Sequence, residues 1–129
     1  QSGFIAGADI SQFGNIEDVN EAFNLIRQGQ KIFQKLDDLS IPTVAMIKGF
    51  CLGGGLELSL ACKYRVADED ASTRIGLPEV KLGIHPGWGG SVRLPNLIGA
   101  PKAMDLMLSG RTLAAKQAKA FGIVDACVP

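Results

Sequence analysis
Apolar positions along the chain fall into two rhythms, helical steps of three and four residues and short unbroken runs. Ile16, Val19, Phe23, Ile26, Phe33, Leu36 and Leu39 make one stripe at helical spacing. Gly14 or Asn15 opens this long amphipathic helix, and Ser40-Ile41-Pro42 ends it. Glu17, Asp18 and Glu21 suit the positive end of its dipole. Thr43-Val44-Ala45-Met46-Ile47 is apolar and partly β-branched, so it reads as a buried strand. Gly3 to Ile10 reads as a strand end running into a small-residue loop. Tyr64-Arg65-Val66-Ala67 and Arg74-Ile75-Gly76 are two further short strands, separated by a polar loop from Asp68 to Thr73. Ser91 to Ile98 is helical despite Pro95, and Pro101 opens another helix carrying Ala103, Met104, Met107 and Leu108. Thr112 is an N-cap candidate for a last helix, Ala114 to Phe121, with Gly122 as its C-cap. Val124 to Val128 is extended. Strands alternating with helices predict an α/β fold with a largely parallel sheet.

The sequence Lys48-Gly49-Phe50-Cys51-Leu52-Gly53-Gly54-Gly55-Leu56-Glu57 interrupts this pattern. It follows the Thr43–Ile47 strand and leads into helix-formers at Leu56, Leu58, Leu60 and Ala61. Three glycines at a strand-to-helix junction leave unpaired N–H groups that another molecule can approach closely. The helix dipole adds to those donors, so the junction is a receptor for fixed or developing negative charge. Glu57 sits one turn into that helix. A second glycine-rich loop, Gly83-Ile84-His85-Pro86-Gly87-Trp88-Gly89-Gly90, is too rich in glycine to be a regular element.

Composition narrows the classes. An apolar fraction of 47% with 20% charged residues is that of an ordinary globular domain. Thirteen basic and thirteen acidic residues cancel, so no global field draws the chain to nucleic acid or to a membrane surface. No apolar run approaches the length of a membrane span, and no signal peptide is visible. Three cysteines without a Cys-x-x-Cys pair fit reduced thiols in a cytoplasmic setting. Gln1 is not a natural start and predicts a chain cut from a longer one.

Several motif chemistries fail on spacing. Counting from Gly53, the third glycine of a dinucleotide fingerprint would fall on Leu58. No Gly-Lys-Ser/Thr follows for a phosphate loop, and Gly89-Gly90-Ser91-Val92-Arg93 lacks the closing glycine of a nucleophile elbow. One histidine and scattered cysteines make no zinc site. His85, alone beside Pro-Gly, is more often a loop residue than a catalyst. An anion receptor plus the carboxylates of Glu57 and Glu79 remains. Each carboxylate has a plainer reading, Glu57 as dipole compensation and Glu79 as a solvated turn residue. Ala6-Gly7-Ala8-Asp9 likewise reads as a tight turn.

Five segments in order resemble the crotonase, or enoyl-CoA hydratase/isomerase, superfamily across nearly the whole chain. They are Phe4 to Ile10, Ile41 to Gly49, Leu52 to Leu58, Gly76 to Glu79 followed by Leu82 to Ile84, and Pro86 to Gly90. The Leu77-Pro78-Glu79 segment and the closing Ala118 to Asp125 are similar, more narrowly, to the hydratase portion of bacterial multifunctional fatty-acid oxidation α-subunits. The resemblance implies a crotonase-like spiral core of repeated β-β-α units. It makes residues 1–129 one partial domain that lacks its first strands and its C-terminal helices.

The resemblance also implies hydration of 2-enoyl-CoA in fatty-acid β-oxidation, with double-bond isomerisation as a second activity. It places an oxyanion hole on the backbone N–H groups of Ala8 and Gly54, and acid/base roles on Glu57 and Glu79. Substrate contacts fall on Ala6, Gly7, Asp9, Gly53, Pro86, Gly87 and Trp88. Trp88 stands where relatives often carry a smaller side chain, so it either shapes the acyl pocket or packs as a core aromatic. No cofactor or metal is implied beyond the acyl-CoA substrate itself. The implied partners are a homo-oligomer or a fatty-acid oxidation complex, without nucleic acid or membrane. Competing readings are another crotonase reaction, thioester hydrolysis or decarboxylation, and a non-catalytic or RNA-binding relative.

Overall fold
The computed structural model describes residues 3–11, 16 and 18–129. Its strands form two sheets. In one, β1 (Gly3–Ile5), β3 (Phe50–Leu52) and β5 (Arg74–Gly76) run parallel side by side, and β6 (Thr112–Leu113) joins β5 antiparallel. In the other, β2 (Val44–Ile47), β4 (Tyr64–Asp68) and β7 (Ala126–Val128) are all parallel. The chain visits the second sheet, then the first, then a helix. The passage β2, β3 and α2 (Gly54–Ala61) is one such β-β-α turn, and β4 with β5 begins the next. Ile47, Cys51, Leu56, Ile75, Leu77, Leu94, Leu106, Leu113 and Ile123 are buried together between these layers.

Buried hydrogen bonds hold the spiral in step. The Gly49 N–H, in the turn from β2 to β3, donates to the buried Thr73 hydroxyl at 3.1 Å, just before β5. The buried Arg65 on β4 donates to the carbonyls of Ile123 (2.8 Å) and Cys62 (2.7 Å). Its backbone N–H reaches the Asp125 carboxylate at 2.7 Å, so β4 is fixed to the approach of β7.

Three expected elements come out differently. The strand entering the glycine junction is β3 and not the Thr43–Ile47 run. Gly49, at φ +68, turns the chain after β2 into the other sheet, and three residues suffice to cross it. The long helix, α1 (Val19–Asp37), begins later than the stripe predicts. Asp18 is its N-cap, with a side chain that accepts from the Asn20 N–H, and Ile16 precedes the helix. The expected start at Gly14 or Asn15, and Glu17, lie outside the described residues. Within α1 no residue is fully buried. Phe33 and Leu36 are half-buried, while Phe23, Ile26 and, at 82%, Val19 are exposed. Thr112 does not cap a helix either, because it pairs with Gly76 in β6. The last helix, α5 (Ala115–Phe121), starts from Ala114, whose N–H donates to the Gln117 side chain at 2.9 Å. The other helices form as expected, α3 as Gly90–Ile98 and α4 as Ala100–Ser109 with Pro101 in its first turn. Among the described residues no helix is long and apolar enough to cross a membrane.

Candidate active site
Parallel pairing gathers the site. Because β1, β3 and β5 are neighbours running the same way, the loops that leave their carboxyl ends emerge together. These loops are Ala6–Asp9, Gly53–Gly54 and Leu77–Glu79, three segments far apart in the chain. The Gly53 N–H continues the ladder by donating to the Gly76 carbonyl at 3.0 Å. Gly53 then adopts φ +55 and ψ −126, a conformation that any side chain would strain. A Cβ here would also stand 3.1 Å from Glu79 Oε1 and 3.8 Å from the Gly7 Cα. The glycine therefore lets both neighbouring loops close on the start of α2.

Gly54 is the first residue of α2, so its N–H has no acceptor inside the helix. Among the described residues no other acceptor meets it either. The Ala8 nitrogen lies 3.9 Å from the point where a Gly54 Cβ would be, so the two backbones are close neighbours. Ala6, Gly7 and Ala8 share this loop. Asp9 is there too, but its carboxylate is occupied locally, accepting from the Ser11 N–H (3.0 Å) and hydroxyl (2.7 Å).

Glu57 and Glu79 are both buried, at 3% and 8% exposure. Glu57 Oε1 accepts from the backbone N–H groups of Trp88 and Gly90, each at 2.8 Å. The second glycine-rich loop is thereby tied to α2, and a Cβ on Gly90 would press on that carboxylate at 3.0 Å. Burial raises the proton affinity of Glu57, while the two N–H bonds, Arg93 and His85 pull the other way. Glu79 opens a 3₁₀ turn (Glu79–Leu82), and its buried Oε2 has no hydrogen-bond partner among the described residues. Burial, reinforced by the negative charge of Glu57, lifts its pKa to about 6. Two carboxyls with different surroundings are the usual raw material of acid/base chemistry.

The raised Glu79 pKa has a measurable consequence for stability. Its ordinary value is 4.5, so between that and about 6 the folded chain holds a proton that the unfolded chain has released. The stabilisation is complete below pH 4.5 and is lost as pH rises through 6, on the order of 1–2 kcal/mol. Denaturation midpoints taken across this range should fall more steeply for the wild type than for Glu79→Gln. Parallel curves for the two proteins would contradict the buried, proton-holding carboxyl.

The remaining expected residues frame the same place. Pro86 is buried, with its Cβ 3.1 Å from the Gly90 Cβ position beside Glu57. The Gly87 carbonyl accepts from Gln30 Nε2 of α1 at 2.8 Å. Trp88 packs its ring edge-on against Phe33, centroids 5.7 Å apart. The sequence marks Phe33 only as part of the α1 stripe and gives no sign of Gln30, since a helix face alone does not say which loop will pack on it.

The enoyl-CoA hydratase/isomerase family model matches residues 1–129, the entire chain. The chain belongs to the enoyl-CoA hydratase/isomerase family. Among its relatives, the fatty acid oxidation complex subunit alpha of Vibrio cholerae is 60% identical over 126 residues. That alignment covers 98% of this chain but 18% of the relative. Among solved structures, an enoyl-CoA hydratase from Thermoplasma volcanium superposes with a TM-score of 0.93 at 38% identity. It covers 99% of this chain and 50% of the hydratase. One from Bacillus anthracis gives 0.87 at 40% identity, covering 96% and 47%. The chain thus spans about half of these hydratases and under a fifth of the curated relative. The crotonase-like spiral expected from the motifs is the fold observed.

Proposed function
We propose that this chain carries the reacting centre of an enoyl-CoA hydratase, acting on 2-enoyl-CoA thioesters in fatty-acid β-oxidation. The observation that carries the reading is a pair of buried glutamates at the glycine junction, beside a helix start whose first N–H has no acceptor within the helix. Glu57 lies in the first turn of α2, and Glu79 places Oε1 3.1 Å from the Gly53 Cβ position. The thioester oxygen accepts from the N–H groups of Ala8 and Gly54, and charge accumulates on it as C3 is attacked. Glu57, oriented through Oε1 by two N–H donors, takes a proton from water as the water oxygen bonds to C3. Glu79, which holds its proton to about pH 6, delivers that proton to C2. Exchange with solvent then returns Glu57 to the charged form and Glu79 to the acid. Water is added across the double bond with no net redox change, so the chemistry asks for no redox cofactor. Isomerisation of the double bond through the same carboxyl at Glu79 is a second activity within this reading.

Residues 1–129 are taken as one partial domain of a cytoplasmic enzyme, working as a homo-oligomer or within a multifunctional fatty-acid oxidation complex. The naming of the Vibrio cholerae relative supports the second arrangement. The full-length protein should consume the enoyl-thioester absorbance of crotonyl-CoA and decenoyl-CoA. Failure of well-folded protein to turn over either substrate would remove the hydratase reading.

A further inference from the structure
We infer that Trp88, seated in a notch that Gly29 opens in α1, is the wall that limits acyl-chain length at this site. The inference rests on the hydratase reading and adds a specificity element to it. Glycine in the middle of a helix costs about 1 kcal/mol against alanine, so Gly29 within α1 calls for a packing reason. The indole supplies it. A Cβ on Gly29 would lie 2.5 Å from Trp88 Cδ1 and 2.7 Å from Cε2, closer than atoms can approach.

The opposite edge of the same indole reaches the glycine junction. A Cβ on Gly54 would lie 2.9 Å from Trp88 Cζ3 and 3.0 Å from Cε3, with the Ala8 nitrogen 3.9 Å away. The ring therefore bridges α1 and the first residue of α2. Its position is fixed from three directions. Phe33 meets the ring edge-on, the Trp88 N–H is held by Glu57 Oε1, and Gln30 anchors the carbonyl of the preceding Gly87. A thioester whose oxygen sits between Ala8 and Gly54, and whose C3 faces Glu57, must send the rest of its acyl chain past this ring. A flat, braced aromatic there leaves room for a short chain and obstructs a long one.

The test compares kcat/KM for decenoyl-CoA and crotonyl-CoA in full-length wild type, Trp88→Ala, Trp88→Phe and Gly29→Ala. One methylene in an apolar pocket shifts specificity by roughly tenfold or more, and removing the indole frees space for several. The decenoyl-to-crotonyl ratio should rise at least about tenfold in Trp88→Ala and move the same way, by less, in Trp88→Phe. The phenylalanine variant keeps an aromatic against Phe33 and guards against a folding failure in the alanine variant. Gly29→Ala pushes the indole toward Gly54 and should lower the ratio. Ratios unchanged within twofold in folded Trp88→Ala and Trp88→Phe would overturn the inference while leaving hydration intact. Absence of wild-type turnover on both substrates would instead remove the hydratase reading and the wall with it.

Discussion
In the full-length protein, Glu57→Gln and Glu79→Gln should each lower kcat for the proposed enoyl-CoA hydration by about 10²-fold or more, with KM little changed. Both glutamines keep the size of the side chain and its capacity to accept a hydrogen bond. What they lose is the ability to take up and release a proton. In Glu57→Gln the Trp88 and Gly90 N–H groups still meet an oxygen, so the second glycine-rich loop keeps its anchor. In Glu79→Gln the buried position loses an acid without gaining a charge. Steady-state kinetics on crotonyl-CoA, with thermal melting alongside, separates the roles. Near-normal kcat with a lowered melting temperature would return Glu57 to stabilising the start of α2.

The second large effect concerns the backbone. Ala8→Pro deletes one N–H from the loop after β1, whereas Ala8→Ser keeps it and adds comparable bulk. Loss of one preorganised donor to a developing oxyanion costs about 3–4 kcal/mol of barrier, or 10²–10³ in kcat. The proline variant should show that loss and the serine variant should not. Gly7, at φ +108, precedes the substitution and is free of the Cβ clash that proline imposes on its neighbour. Equal activity of the two variants would mean that the Ala8 N–H does not hold the thioester oxygen.

Some parts of this site are legible from local sequence and others are not. The triple glycine before Leu56 announces an anion receptor, because few other needs put three glycines at a helix start. Its companions are less audible. Nothing local to Ala6–Asp9 says that β1 pairs with β3. That pairing is what brings the Ala8 loop beside Gly54, and the family motifs carried it where periodicity could not. The β2–β3 break at Gly49 is hidden because Phe50-Cys51-Leu52 is as apolar as the strand before it. The α1 stripe reads as a core face, yet in the structure its apolar side chains are half-buried at most. Helical spacing records that a face is apolar and leaves open what lies against it. Gly29 is the sequence signal for that contact, since an interior helix glycine marks a close approach, and here the approaching group is Trp88.

The central claim is that water is added across C2 and C3 while the thioester remains whole. Product analysis of crotonyl-CoA turned over by the full-length protein in ¹⁸O-labelled heavy water tests it most directly. The account predicts one labelled oxygen at C3, a solvent-derived hydrogen at C2, and CoA still esterified. Release of free CoA with the label in the carboxylate, or product without label at C3, would contradict it.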